Sequence, residues 1–103
     1  MDKLNQLVGD KIEAARKARK MTQEELGKLI GLSRVSIVNI EAGRVSLTLP
    51  NLYKMSFALE VHPRHFLVDP DLLTDGIEDM VKQLEKMNIE PSRARAFIFS
   101  ELY

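Results

Sequence analysis

The chain has 103 residues, with 45% hydrophobic and 29% charged, which is room for one domain and a short extension around a modest core. Fifteen Lys and Arg balance fifteen Asp and Glu, which disfavours indiscriminate attraction to nucleic acid, and the lack of cysteine excludes disulfides and cysteine metal sites. The start, MDKLNQLVGDK, lacks the basic flank and apolar stretch of a signal peptide, and no apolar run approaches a membrane span, so a cytoplasmic, non-membrane location is expected.

Charge is unevenly spread. Residues 1–45 hold nine Lys or Arg against six Asp or Glu, so basic side chains concentrate in the first half of the chain. Every clear periodicity is helical, which predicts an all-α fold. A first helix is expected over about 5–19, with Leu7, Val8, Ile12 and Ala15 on one stripe and RKARK closing it against the negative end of the helix dipole. Thr22 opens a second helix, because TQEE has the form of a capping box. Leu26, Leu29 and Ile30 are expected on its inner face. Gly27 sits mid-helix, where it costs about 1 kcal/mol relative to Ala, so close approach of another backbone is expected there.

Gly31 suits the left-handed conformation that ends a helix, Leu32 is expected to tuck inward, and Ser33 caps a third helix over 34–42. A fourth helix begins after Thr48, with Leu52, Met55, Phe57 and Leu59 as candidate core. VHPRHFL then predicts a short turn with Phe66 and Leu67 pointing inward. DPDLLTDG marks a boundary, dividing the chain into 1–68 and 69–103. Beyond it, Ile77, Met80, Val81, Leu84 and Met87 recur at helical spacing, and RARAFIFSELY closes the chain as either a short helix or a strand.

The third helix carries the most informative pattern. Wound at about 100° per residue, it gathers Arg34, Val35, Val38, Asn39 and Ala42 in one arc and leaves Ile37 and Ile40 opposite. A solvated face would ordinarily carry Glu and Lys. Arg, Asn and Val instead match the major groove, where Arg grips guanine O6 and N7, Asn pairs with adenine, and Val touches a thymine methyl. The competing arrangement places Val35 and Val38 in the core and leaves Arg34 merely exposed. The arc alone does not choose between them.

Thr22-Gln23, Leu26, Gly27, Gly31-Leu32-Ser33, Ile37 and Glu41-Ala42-Gly43-Arg44 follow one another at a familiar spacing. In these residues, and on through LTLPNLYKMSFALEV and HPRHFL, the chain resembles the lambda-repressor and Cro-like (Xre-type) helix-turn-helix family over about residues 5–68. The resemblance implies a five-helix DNA-binding domain, and the C-terminal helical extension lies beyond it. It makes 34–42 a recognition helix, with Arg34, Val35 and Asn39, and secondarily Val38, facing base edges. It assigns Gln23, Arg44 and Asn51, and with them Ser33 and Ser36 unless these two touch a base, to phosphates, contacts that position without specifying. It also implies a bracing ion pair between Arg16 and Glu41. The chain departs from the family pattern at Lys20 and Glu60, where relatives often have glycine, and at Leu47, where proline is frequent.

Double-stranded DNA with a pseudo-palindromic operator is the expected partner, bound by a homodimeric transcriptional regulator, chiefly a repressor. Ile77, Met80, Val81, Leu84, Met87, Phe97 and Phe99 are the candidate dimer interface. That surface equally suits packing on the chain's own helices, or a protein partner such as a toxin, and an antitoxin-type interaction module is the competing function. No nucleophile–base pair or phosphate loop stands out, and His62 and His65 lack a third ligand, so neither an enzyme, a cofactor nor a metal site is expected.

Overall fold

The computed structural model describes residues 2–70, 72–73 and 77–88, and the side chains of Asp2 and Ile77 lie outside that description. The described residues include five α-helices and the four-residue 3-10 turn Pro63–Phe66, with no strand among them. The chain divides into two compact units, Met1–Val68 and Asp69–Tyr103.

In the first unit, α1 spans Asp2–Ala18, three residues longer at its start than the stripe of apolar residues predicts. Ile12 and Ala15 are buried, and Val8 packs against the core from its edge. α2 (Gln23–Ile30) buries Leu26, Gly27 and Ile30. α3 (Arg34–Glu41) buries Ile37 and Ile40, and α4 (Leu49–Leu59) buries Met55, Ser56 and Leu59. Pro63–Phe66 closes the unit as a 3-10 turn and inserts Phe66 completely. Each of these fully buried apolar side chains stabilises the fold by about 1.5–3 kcal/mol relative to exposure.

Three residues expected inside are instead exposed: Leu29 (62%), Phe57 (80%) and Leu67 (62%). The buried arc of α2 runs from Leu26 through Ile30 to Gly27, which leaves Leu29 beyond its edge. On α4, Phe57 lies two residues from Met55, about 200° round the helix, so it turns away from the face that Met55 and Leu59 bury. Leu67 follows the 3-10 turn in extended backbone rather than continuing it.

Close approach at two glycines brings these helices together. A Cβ on Gly27 would stand 2.5 Å from the Leu32 carbonyl oxygen, as the mid-helix position predicts. A Cβ on Gly9 would stand 2.5 Å from the carbonyl oxygen of Ile40, so α1 lies directly against the end of α3.

Lys20 and Glu60, the two departures from glycine, both adopt φ of 55°. A side chain in that conformation costs about 1–2 kcal/mol, a strain that glycine would not carry. Arg19 reaches the Glu60 carboxylate at 2.5 Å, but this exposed pair returns about 1 kcal/mol at most.

In the second unit, α5 spans Ile77–Lys86, with Glu78 and Asp79 in its first turn and Lys86 in its last, both favourable to the helix dipole. Val81 is buried and Leu84 half-buried, whereas Met80 and Met87 are exposed. Of the candidate dimer surface, Val81 is therefore already covered within the protomer. Phe97, Phe99, the side chain of Ile77 and the segment RARAFIFSELY lie outside the described residues.

Candidate nucleic-acid interface

The site begins at the start of α2. The Thr22 hydroxyl accepts from the Glu25 amide at 3.0 Å, and the Glu25 carboxylate accepts from the Thr22 amide at 2.9 Å. The bond from the Thr22 amide, and after it the Thr22 side chain, hold the Glu25 carboxyl below its ordinary range. This reciprocal cap fixes where α2 begins and so places Gln23 in its first turn.

At the other end, Gly31 takes φ of 76° and closes α2, with its own N–H and that of Leu32 both donating to the Gly27 carbonyl. Two residues later Ser33 caps α3, its hydroxyl accepting from the Ser36 amide at 3.1 Å and lying 3.0 Å from the Ser36 hydroxyl. The turn is thus as short as the expected Gly-Leu-Ser connection, and the absent Cβ at Gly27 is what lets it fold back.

One side of α3 is locked down. Ile37 and Ile40 enter the core, and Glu41 is buried with them. Its carboxylate accepts from Arg16 Nε at 2.7 Å and from Arg16 Nη2 at 2.9 Å, a two-pronged pair. Arg16 Nη1 also donates to the Met21 carbonyl at 2.8 Å. Hydrogen bonding to Glu41 raises the Arg16 pKa more than desolvation lowers it, so the guanidinium stays charged. The ion pair implied by the family resemblance is present, and it binds α1 to the end of α3.

Gln23 joins the same network, donating from Nε2 to Glu41 at 3.1 Å. Nothing in the residue spacing signals this bond. An amide has two N–H donors and an acceptor oxygen, so one N–H and the oxygen of Gln23 are left over for a further partner.

The other side of α3 faces outward. Arg34 is exposed, Val35 is 67% exposed, and Val38 and Asn39 are half-buried. Val35 is therefore not a core residue, against the competing arrangement, whereas Val38 is covered in part. Arg44, just beyond the helix, donates from Nη1 to Asn39 Oδ1 at 3.2 Å. Asn51 lies half-buried in the first turn of α4, its amide donating to the Thr48 hydroxyl at 3.3 Å.

Gln23 and Arg34 line one open depression together with Lys20, Thr22 and Arg16. Lys20 and Thr22 are not among the contacts that the sequence pattern singles out. Lys20 stands out there only as a departure from glycine, and the basic excess of residues 1–45 is the signal that would add it. The two histidines have local roles. His62 Nδ1 accepts from the Arg64 amide at 3.1 Å, and the His65 ring stands edge-on to Phe66. Among the described residues no helix is long and apolar enough to cross a membrane.

A capped short helix, a three-residue turn and a second helix anchored on one side define a helix-turn-helix protein. The family model described as Helix-turn-helix matches residues 12–66, more than half the chain, and the chain belongs to that family. Its relatives include Repressor protein C2 of Salmonella phage P22, 39% identical over 62 residues that make up 60% of this chain and 29% of the repressor. Another is an uncharacterized HTH-type transcriptional regulator, y4aM, of Sinorhizobium fredii, 37% identical over 65 residues, 62% of this chain and 46% of that protein. The chain thus matches less than half the length of either curated relative.

Solved structures agree. The restriction-modification controller protein C.AhdI of Aeromonas hydrophila superposes with a TM-score of 0.59 at 30% identity, over 61% of this chain and 96% of that one. The P22 c2 repressor, solved in complex with a synthetic operator, superposes at 0.57 and 39% identity, over 60% and 94%. The clp gene regulator ClgR of Corynebacterium glutamicum shares the fold at 0.62 and 21% identity, over 84% and 96%.

Proposed function

We propose that this chain binds double-stranded DNA sequence-specifically through α3 and regulates transcription as a homodimeric repressor at a pseudo-palindromic operator. The observation that carries the reading is the division of α3 into an inner side held by Ile37, Ile40 and Glu41 and an outer side presenting Arg34, Val35 and Asn39. In this reading the outer residues meet base edges, with Val38 at the margin. Gln23, Ser33, Ser36, Arg44 and Asn51 meet phosphates, joined by Lys20 and Thr22. The operator complex of the P22 repressor, 39% identical to this chain, supports DNA as the ligand.

Two copies on adjacent half-sites read more base pairs than one, and two-fold symmetry places the half-sites about 10 base pairs apart. The exposed Met80 and Met87 favour a protein contact through α5, for which a second copy is the first choice and a toxin-like partner the alternative. A cytoplasmic location follows from this role.

Selection of bound duplexes from a random DNA pool tests the proposal. Enrichment of a pseudo-palindrome with that spacing is the expected result. No enrichment over several rounds, with only weak salt-sensitive binding, would overturn it.

A further inference from the structure

The Asn39 amide is the one candidate base-reading group whose orientation is held by a neighbour. Arg44 follows α3 by a short turn, its backbone amide donating to the Asn39 carbonyl at 3.0 Å, and its side chain returns along the helix to the same residue. There Nη1 donates to Oδ1 at 3.2 Å. A guanidinium has donors and no acceptor, so only the oxygen of the Asn39 amide can face it. The other half of the amide, Nδ2 with its two N–H groups, is thereby turned away from Arg44.

We propose that Arg44 is a positioning residue for sequence reading: it sets which end of the Asn39 amide meets the base. This rests on the reading of α3 as the recognition helix and adds a role to the phosphate contact already given to Arg44. A free asparagine on a helix surface can rotate its amide by half a turn at little cost, exchanging donor for acceptor. In one orientation it matches the acceptor and donor of adenine, and in the other it does not. Fixing the amide converts a two-way contact into a single one before DNA arrives. The second lone pair of Oδ1 is left for an exocyclic amine of the base.

The two roles of Arg44 have different signatures. A phosphate contact contributes equally on every sequence and to the salt dependence. Positioning changes preference at one base pair alone. The test measures binding of the selected duplex, and of its single-base-pair variants, to the wild type, Arg44→Met, Asn39→Ala, the double variant and Arg44→Lys. Thermal midpoints of all five confirm folding.

Asn39→Ala identifies the base pair concerned by relaxing it. Arg44→Met is expected to lower discrimination at that same base pair about tenfold, within the range a bidentate contact supplies, and to leave the other positions unchanged. On the Asn39→Ala background, Arg44→Met should weaken all duplexes equally with no further change in preference. Arg44→Lys, which keeps a charged donor, should restore the preference. Uniform weakening by Arg44→Met with every base preference intact would overturn the proposal and leave Arg44 a phosphate contact. If Asn39→Ala relaxes no position, the assignment of Asn39 as a reader fails first, and that arm alone reports it.

Discussion

The two sides of α3 obey different physics although they are eight residues of one helix. On the inner side Ile37 is fully buried, Ile40 nearly so, and the Glu41 carboxylate takes two bonds from Arg16 and one from Gln23. On the outer side Arg34 and Val35 are exposed, and Asn39 has its side-chain oxygen turned to Arg44. The inner side costs much to disturb. The outer side contributes little to folding, and its chemistry is free to match a base sequence. In the proposed reading a rigid helix makes that division useful, because a reading face displaced by an ångström would miss the donor and acceptor pattern of the bases.

The largest way to break this division is Glu41→Ala. It leaves the Arg16 guanidinium buried without its carboxylate and takes away the Gln23 bond. Loss of one partner of a buried pair costs about 3–5 kcal/mol, to be read in urea denaturation. DNA binding should fail in proportion to unfolding, and any protein that stays folded should keep its base preferences. Next comes Arg34→Ala, expected to cost about 1–3 kcal/mol in binding the selected duplex and to relax one base position. Its unfolding midpoint should match the wild type. The smallest effect falls at Ser33, where the two sides meet at the start of the helix. Ser33→Ala should cost about 1 kcal/mol of stability, whereas Ser33→Gly should cost only a few tenths. Equal loss of DNA affinity in both variants would assign the Ser33 hydroxyl to a phosphate as well as to the cap.

Local chemistry is legible in the amino-acid sequence alone. The TQEE cap, the left-handed Gly31, the Ser33 cap and the backbone approach at Gly27 each depend on residues within a few positions of one another. The split of α3 into two faces follows from its period, and its inner members Ile37 and Ile40 stand where helical winding places them. Features that depend on a partner helix are not legible in this way. Leu29 and Phe57 satisfy a loose apolar pattern, yet the actual contact arcs of α2 and α4 are rotated away from them. Nothing around Gly9 signals that α1 rests on the Ile40 carbonyl, 31 residues away in sequence. The Gln23 bond to Glu41 and the Arg44 bond to Asn39 likewise arise from side-chain geometry that spacing does not encode.

The central claim is that the outer side of α3 meets DNA, and mapping backbone amide resonances during titration with the selected duplex tests it most directly. The largest shifts are expected on Thr22, Gln23, Ser33 to Asn39 and Arg44, with the exposed stripe of α4 at Tyr53 and Phe57 little changed. Shifts centred on α4 or α5, with α3 unmoved, would contradict it.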